Sequence, residues 1–448
     1  MMRRARNVSA VVFLSLAAFA LSMFVFVGCG KKGEKATAGQ TINLLMEAVP
    51  DTFFVQKLLP EFEQETGIKV QFEVVNYAEM HAKLLPQLMG KKGAYDAIVV
   101  DNYWAGEFPA AGWLEQLDAR VKKTPSIELD KYVPSMLDMV GYYQDKLYMI
   151  PFYNYTMLLF YRTDMMEDPR LKAEYKQKYG NDLAIPDNMK DYVELCGFMT
   201  RDTNRDGKPE IQGVTMMGLK PDPICMEFSN YLYSMGGDYY DRKTWKATIN
   251  NDIGVEAATL YTQNMRKNAP RGAPGYGFDE SNQFFAQGGA FSIVTFWMFY
   301  IDFNLDPEKS KVVGKVGLSK MPGGSNLNGG WGWAIPKSSP NKEAAWKFIS
   351  WVESFDIAKK RALQGGAPTR SDVFNDPEVA AKFPWYPQVA EILETAKPVP
   401  EFTYSTQMIE VVGRELSLAV EGKDVKEALD AAAAELDALA QKARLQKK

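Results

Sequence analysis

The pattern of apolar and polar positions in residues 41 to 100 predicts a β-α-β-α-β unit. Residues 41–46 are predicted as a strand, residues 54–62 carry apolar side chains at helical spacing, and residues 68–74 alternate with the period of a strand. A second helical face follows at residues 84–88, and residues 97–100 form a wholly apolar strand. Because helices join successive strands, the sheet should be parallel and doubly wound.

Polar and aromatic residues follow each of these predicted strands. Open α/β sheets bind ligands beyond the carboxyl ends of their strands. The residues that the sequence places at this edge are Glu47, Asn76, Tyr77, Asp101, Asn102, Tyr103 and Trp104. We therefore expect a ligand site there.

The stretch from Asp145 to Asp164 predicts a crossover between two sheets. An apolar strand at residues 147–150 is interrupted by Pro151, which fixes φ and has no backbone donor. The polar-tipped residues 153–156 follow, and then a second apolar strand at residues 157–161. We interpret the interruption as facing a cleft. The alternative is a bent hairpin within one large sheet.

Strands and helices continue to alternate further along the chain. Strands are predicted at residues 213–218, 291–297 and 312–318, and helices at residues 227–235 and 253–266. The chain of 448 residues has room for two or three domains.

Composition narrows the class of ligand. A hydrophobic content of 46% and a charged content of 24% are those of a soluble globular protein. The net charge of -4, without a Lys/Arg-rich block, argues against nucleic acid as a partner. Aromatic residues make up 12% of the chain, and Tyr and Trp suit a ligand that is part apolar and part hydroxyl.

The N-terminus has the pattern of an export signal. Three arginines within the first six residues precede an apolar run at residues 11–27, which ends in Gly28-Cys29. This end resembles a bacterial lipobox with Phe26 at its first position. The resemblance implies a signal peptide at 1–28, lipid on Cys29 and a flexible tether at 29–40. The alternative is a retained membrane-spanning anchor.

Several catalytic sites can be dismissed. His81 is the single histidine, which excludes Ser-His-Asp triads, Cys-His pairs and poly-His metal sites. Residues 324–329 have P-loop glycine spacing but lack the following Lys-Ser/Thr, and Ser339 is better explained as a helix cap than as a nucleophile. Paired carboxylates stay open. So does the state of Cys196 and Cys225, for which two buried thiols are expected rather than a disulfide.

Residues 202–210 match the first part of a calcium loop. Oxygen-bearing side chains stand at positions one, three and five, and a glycine stands at position six. Position twelve is Gly213 where the motif has Glu, and the same residues also make a good turn. The predicted structural calcium site comprises Asp202, Asn204, Asp206, Lys208 and Glu210.

A set of aromatic residues lies at strand ends, crossovers or Gly-rich bends, next to Asn, Asp or Glu. For each one alone, packing in the core is the alternative. Their position favours ligand contact. The set is Trp104, Tyr153, Tyr155, Tyr233, Trp297, Trp331 and Trp333.

Six segments occur in the order seen in family 1 extracellular solute-binding proteins. They are the lipobox, TGIKVQFEVV, YDAIVVDNYWAGEFPAAGWLEQLD, DKLYMIPFYNYTMLLFYRTD, FFAQGGAFSIVTFWMF and GGWGWAIPKSSPNKEAAWKFISW. The chain thus resembles the sugar receptors of ABC importers and is similar to maltose-binding protein. The resemblance covers nearly the whole mature chain.

The resemblance implies a two-lobe, type II periplasmic-binding-protein-like α/β fold with doubly wound sheets and an interlobe hinge. The N-terminal lobe would comprise residues 41–150 plus 294–335, and the C-terminal lobe residues 151–293 plus 336–448. Ligand residues that the resemblance implies are Trp104, Tyr153, Asn154, Gly236, Gly237, Trp297, Trp331 and Arg370.

We therefore expect a monomeric, lipid-anchored receptor at the periplasmic or outer face of the membrane, without enzymatic activity or a cofactor. It would bind a sugar or oligosaccharide between its lobes and deliver it to an ABC permease. Aromatic faces would stack on the sugar, and Glu47, Asn76, Asp101, Asn102 and Asn154 would bond its hydroxyls. Two rival hypotheses are a lipoprotein glycoside hydrolase and a ligand-sensing lipoprotein without a transport role.

Overall fold

The structure, a computed structural model, describes residues 39–446 with the exception of residues 203 and 205. The predicted signal peptide, Cys29 and nearly all of the predicted tether lie outside the described residues. Among the helices that are described, none combines the length and the apolar character needed to cross a bilayer.

Eleven strands form two main sheets and one small hairpin within the described residues. They are β1 (Thr41–Glu47), β2 (Lys69–Val75), β3 (Ala97–Asp101), β4 (Tyr142–Tyr143), β5 (Lys146–Leu147), β6 (Ile150–Asn154), β7 (Met157–Arg162), β8 (Gln212–Thr215), β9 (Ala290–Phe296), β10 (Val316–Ser319) and β11 (Gly330–Ala334).

The described residues also form nineteen α-helices. They are α1 (Pro50–Thr66), α2 (Tyr77–Met89), α3 (Glu107–Ala110), α4 (Asp118–Val121), α5 (Pro134–Met136), α6 (Thr163–Glu167), α7 (Pro169–Tyr179), α8 (Met189–Met199), α9 (Asp222–Ser234), α10 (Asp252–Lys267), α11 (Phe278–Ala286), α12 (Tyr300–Asn304), α13 (Lys342–Val352), α14 (Phe355–Ala362), α15 (Ser371–Phe374), α16 (Pro377–Lys382), α17 (Tyr386–Leu393), α18 (Ser405–Glu421) and α19 (Val425–Gln446).

The first sheet has five strands in the order β2-β1-β3-β11-β6. Strands β1, β2 and β3 are parallel and are joined by α1 and α2, which confirms the predicted β-α-β-α-β unit. Gly67 ends α1 with a φ of 68°, a left-handed conformation that glycine adopts without steric cost. Strand β11 returns from later in the chain and pairs antiparallel with β3 and β6.

Pro151 does not interrupt the chain as the sequence pattern predicted. Strand β6 begins at Ile150 and continues through Pro151 to Asn154. It lies at the edge of the sheet, and its pairing with β11 shifts register between Trp331 and Gly332. An edge position combined with an irregularity is where a strand tolerates a residue without an N–H group. The predicted strand at residues 147–150 is therefore wrong, and the break moves to residues 155–156.

The second sheet has four strands in the order β10-β7-β9-β8. Only the β8–β9 pair is parallel among its described pairings, so both main sheets are mixed. In β8 the backbone runs very close to α8: a Cβ atom added to Gly213 would lie 1.8 Å from the carbonyl oxygen of Cys196. Cys196 and Cys225 are both free and buried.

Connections between the two sheets lie side by side. The chain leaves the five-stranded sheet through residues 155–156, and Tyr155 N–H donates to the carbonyl of Gly329 at 2.8 Å. Thr156 accepts at its carbonyl from Trp297 N–H at 3.1 Å, and its hydroxyl donates to Asn328 at 2.7 Å. Adjacent connections of this kind suit a hinge, and the hinge itself stays a prediction, as do the lobe boundaries.

Candidate ligand-binding site

A partly open cavity of about 160 Å³ lies between the two sheets. One wall comes from the carboxyl ends of β1 and β3 and from β11, and the other from the end of β9, the start of α11 and α9. A cavity of ~150 Å³ accommodates a molecule of about the size of benzene. This space therefore suits a compact solute.

The residues that line the cavity include six that the sequence selected for the ligand site and Tyr77, which it placed at the same edge. The described lining consists of Glu47, Val49, Tyr77, Asp101, Asn102, Tyr103, Tyr155, Met226, Phe278, Phe296, Met298, Phe299, Leu327, Gly329, Gly330 and Trp331.

Glu47 is the last residue of β1 and reaches the cavity with 9% of its surface exposed. Tyr153, which is not in the described cavity lining, donates from Oη to Glu47 Oε2 at 2.6 Å. Burial raises the pKa of Glu47 to about 8, against the lowering effect of this hydrogen bond, and the nearby Asp101 and Asp51 raise the pKa further. The carboxyl group is thus poorly solvated and open to a ligand donor.

Asp101 ends β3 and caps the short 3-10 helix Asn102–Trp104, where its Oδ1 accepts from Tyr103 N–H at 3.4 Å. Burial raises the pKa of Asp101 to about 7, while a hydrogen bond from Tyr77 lowers it. The parallel arrangement of β1 and β3 explains why two carboxyl groups distant in sequence meet at one sheet edge.

Asn102 carries an unpartnered donor in this wall. Its Oδ1 accepts from Gly330 N–H at 3.3 Å, which ties the β3 end to β11. Its Nδ2 is buried and has no hydrogen-bond partner among the described residues. Because a buried donor without a partner costs about 1–3 kcal/mol, this group calls for an acceptor on a ligand or a water.

Aromatic rings from both sheets face one another across the cavity. On the side of the five-stranded sheet, the ring of Tyr77, the first residue of α2, lies 6.0 Å from that of Trp331 in β11, edge to face. On the opposite side, Phe278 stacks on Phe296 at 5.2 Å. Tyr155, in the connection between the sheets, lies 5.9 Å from Phe296. These faces can stack on the C–H face of a sugar or polyol.

Asp51, in the first turn of α1, fixes the position of Tyr155 from outside the wall. Its Oδ2 accepts from Tyr155 Oη at 3.1 Å and its Oδ1 from Ala367 N–H at 3.0 Å. Burial raises the pKa of Asp51 to about 6, although Arg361 lowers it. Ala367, three residues before Arg370, thus supports Tyr155 indirectly through Asp51.

A larger groove of about 1000 Å³ is lined by Trp113, Tyr148 and Tyr404, among others. None of the residues that the sequence selected for the ligand site is among its described lining. The smaller cavity, which those residues line, is therefore the candidate site.

A sequence model of the family described as "Bacterial extracellular solute-binding protein" matches residues 48–356. The chain belongs to this family. The family resemblance expected from the sequence is thereby confirmed, and with it the assignment to solute-binding proteins that work outside the cytoplasm.

Individual relatives cover most of the chain. A probable amino-acid ABC transporter periplasmic-binding protein of Sinorhizobium fredii is 25% identical over 356 residues, 79% of this chain and 78% of the relative. The erythritol/L-threitol-binding protein of Mycolicibacterium smegmatis is 24% identical over 426 residues, 83% of this chain and 82% of the relative.

A solved structure shows the same architecture. The ABC transporter solute-binding protein of Agrobacterium radiobacter K84, in complex with ribitol, superposes with a TM-score of 0.78 at 29% identity. It covers 90% of this chain and 100% of its own. The two-lobe, type II fold class expected for this solute-binding protein is confirmed.

Three residues assigned to the ligand lie behind the cavity wall instead. Tyr153 is fully buried and contacts Glu47. Asn154 donates from Nδ2 to the carbonyl of Pro368, and its Oδ1 accepts from Trp297 Nε1 at 2.9 Å. Tyr153, Asn154 and Trp297 are therefore not in the described lining of the cavity, and their contact with a ligand stays a prediction. They hold the connection between the sheets.

Further residues selected from the sequence are also outside the wall. Trp104 is buried against Trp331, 5.4 Å away, and Trp333 donates to Glu353 in the core at 2.9 Å. Arg370 pairs with Asp372 and Glu128. The others are Asn76, which is exposed at the start of α2, Tyr233, which donates to the carbonyl of Pro398, and the turn residues Gly236 and Gly237, which follow α9.

The wall from the four-stranded sheet was the part that the sequence reasoning missed. Phe296 and Phe299 line the cavity, whereas the sequence predicted that Trp297, which lies between them in the chain, would contact the ligand. Strand β9 ends at Phe296, and a 3-10 helix begins at Trp297. This change of backbone conformation alters the direction in which neighbouring side chains point, and the sequence pattern did not predict it. Met226 and Phe278 come from helices without a distinctive local pattern.

The predicted calcium loop keeps its side-chain oxygens together, and they accept from the loop's own backbone. Asp206 N–H donates to Asn204 Oδ1 at 2.8 Å and Gly207 N–H to Asp202 Oδ2 at 2.9 Å. Among the described residues, no group of three or more His, Cys, Asp or Glu side chains is arranged to hold a metal ion. The calcium site therefore stays a prediction.

Proposed function

We propose that this protein captures a sugar or sugar alcohol in the cavity between its two sheets and delivers it to the membrane subunits of an ABC importer. The observation that carries the proposal is the cavity itself, which is compact and walled by aromatic faces next to Glu47, Asp101 and Asn102. Hydroxyl groups can donate to the two carboxyls and accept from the amide.

The relatives support this class of solute. Erythritol or threitol and ribitol are named as ligands of two of them. Both are short polyols, which agrees with a cavity of about 160 Å³. We therefore favour a monosaccharide or short polyol over the longer oligosaccharides that the sequence left open.

Our proposal also includes export, lipid anchoring at Cys29 and action as a monomer without catalytic turnover. The lipobox pattern at residues 26–29 supports the anchor. Mass spectrometry of the membrane-associated protein tests it, because a diacylated N-terminal Cys29 changes the mass of the N-terminal peptide. An uncleaved N-terminus would contradict the anchor without affecting solute binding.

Thermal unfolding against a panel of tetritols, pentitols, hexitols, monosaccharides and disaccharides tests the solute. A ligand at 100 times its Kd adds about 2.7 kcal/mol of stability, a shift of a few degrees. Trp331→Ala should abolish the shift. Trp351→Ala is the matched control, because Trp351 packs on Phe62 and is not in the described cavity lining.

The solute must be recovered intact after incubation. Recovery of cleaved sugar would favour the glycoside hydrolase alternative, and the absence of a shift with every carbohydrate would contradict the proposal. A protein that binds the solute but supports no uptake would be a sensor.

A further inference from the structure

The charge around the cavity is one-sided. Glu47 and Asp101 are the charged residues of its described lining, which contains no Lys, Arg or His. The acids Asp51, Asp222 and Glu401 add to the negative potential at these two groups.

Basic groups in the surroundings have acidic partners of their own. The Arg361 guanidinium bonds Glu353 at 2.8 Å and lowers the pKa of Asp51, and His81 Nε2 lies 3.1 Å from Glu107 Oε2. Neither is part of the described cavity wall. A neutral ligand would therefore leave Glu47 and Asp101 without a counter-charge.

Burial raises the pKa of Glu47 to about 8 and that of Asp101 to about 7; Asp101 and Asp51 add to the rise at Glu47, and Asp222 adds to that at Asp101. Their charged forms are unstable in the empty cavity, and a ligand cation would restore them. Tyr153 and Tyr77 each give one of them a hydrogen bond, which offsets only part of the cost of burial.

Seven aromatic side chains line the described cavity. Among them, Trp331 in β11 and Tyr77 at the start of α2 lie on one side, and Phe278 and Phe296 on the opposite side. Aromatic faces combined with carboxylates are the groups that stabilise an ammonium ion, by cation–π attraction and by ion pairing. The unpartnered Nδ2 of Asn102 requires an acceptor, which a ligand hydroxyl supplies.

We propose that the solute of this cavity carries a protonated amine together with its hydroxyls, as an amino sugar or amino polyol does. The ammonium group would lie against Glu47 and Asp101, and a hydroxyl oxygen would accept from Asn102. This inference rests on the proposed function, because it specifies the substrate of the same site.

Matched pairs of ligands test it by calorimetry at pH 8: sorbitol against 1-amino-1-deoxysorbitol, and glucose against glucosamine. Within a pair, only one hydroxyl is exchanged for an amine. The amine of at least one pair should bind about tenfold tighter or more, because charge-assisted hydrogen bonds contribute more than neutral ones.

Two variants test whether Glu47 and Asp101 cause the preference for the amine. Glu47→Gln and Asp101→Asn should each reduce the preference for the amine to about one, while Glu256→Gln, which alters the net charge equally at an exposed position of α10, should leave it unchanged. For 1-amino-1-deoxysorbitol the preference should grow from pH 6 to pH 8, as both carboxyls lose their protons. An alkylamine stays protonated over this range, with a pKa near that of lysine, about 10.

Each outcome separates this inference from the proposed function. Equal or tighter binding of the neutral partner would overturn the amine and leave carbohydrate binding intact. Binding of putrescine, an amine without hydroxyls, in the absence of any carbohydrate binding would overturn the proposed function and the hydroxyl part of the inference. If no member of any pair binds, both are overturned.

Discussion

At the scale of single residues, the proposed role of Glu47 in ligand binding has a cost in stability. It lies at the end of a parallel strand, where its backbone is fixed by β2 and its side chain faces a cavity without a cation. A buried carboxyl group of this kind is destabilised whenever it is charged. A ligand group that donates to this carboxylate would explain why a carboxyl group occupies the cavity wall.

The pH dependence of stability should reveal this cost. In the folded, unliganded protein the pKa of Glu47 is raised from 4.5 to about 8, so the folded state binds more protons than the unfolded state between these values. The contribution of Glu47 to stability is therefore present below about pH 4.5 and is lost as the pH rises toward 8.

Glu47→Gln should accordingly stabilise the unliganded protein at pH 8.5, by on the order of 3 kcal/mol, and change little at pH 4. Denaturant unfolding at the two pH values measures it, with Glu256→Gln as the control. A variant less stable than the wild type at pH 8.5 would show that the Glu47 carboxylate is already compensated in the empty cavity.

Elements of the fold differ in how far the sequence predicts them. The spacing of apolar residues was enough to predict β1, α1, β2, α2 and β3, because each of these elements buries apolar side chains against a neighbour. The break predicted at Pro151 was wrong because a strand can contain a proline when it lies at the edge of a sheet. An edge position is a property of the sheet and not of the local sequence. The same holds for the wall at Phe296 and Phe278, which exists only after β9 and α11 have packed.

The contact between β8 and α8 makes a prediction at this scale. Gly213→Ala would place a Cβ atom 1.8 Å from a backbone oxygen, which cannot move without shifting α8. We expect destabilisation of at least about 2 kcal/mol, measured by denaturant unfolding. Gly275→Ala is the control, since no atom lies within 4 Å of its added Cβ. Equal stability of the two variants would contradict the close approach.

The loop at residues 202–210 carries the calcium prediction. If calcium binds, its addition after treatment with EDTA should raise Tm, and Asp206→Asn should remove the increase, because position five then loses its charge. The carbohydrate affinity should not change, since the loop is not part of the described cavity lining. Identical unfolding curves with calcium and with EDTA would exclude a calcium site in this loop.

At the scale of the whole molecule, two mixed sheets are joined by adjacent connections, and the cavity lies where their edges meet. The two-lobe fold was predictable from the order of segments along the chain. Which aromatic residues line the cavity was not, because this depends on how far along the strand each one lies. Trp331 pairs with Asp101 at the end of β3, whereas Trp333 pairs with Val99 further inside the sheet and donates to Glu353 in the core.

Calorimetric titration of the stabilising solute into the wild type, Trp331→Ala and Phe296→Ala tests the central claim most directly, since the two rings come from opposite sheets. We predict one solute per chain with a Kd in the micromolar class, about -8 kcal/mol, and a clear loss of affinity in both variants. Full affinity in either variant would place the solute on one sheet alone and contradict capture between the two.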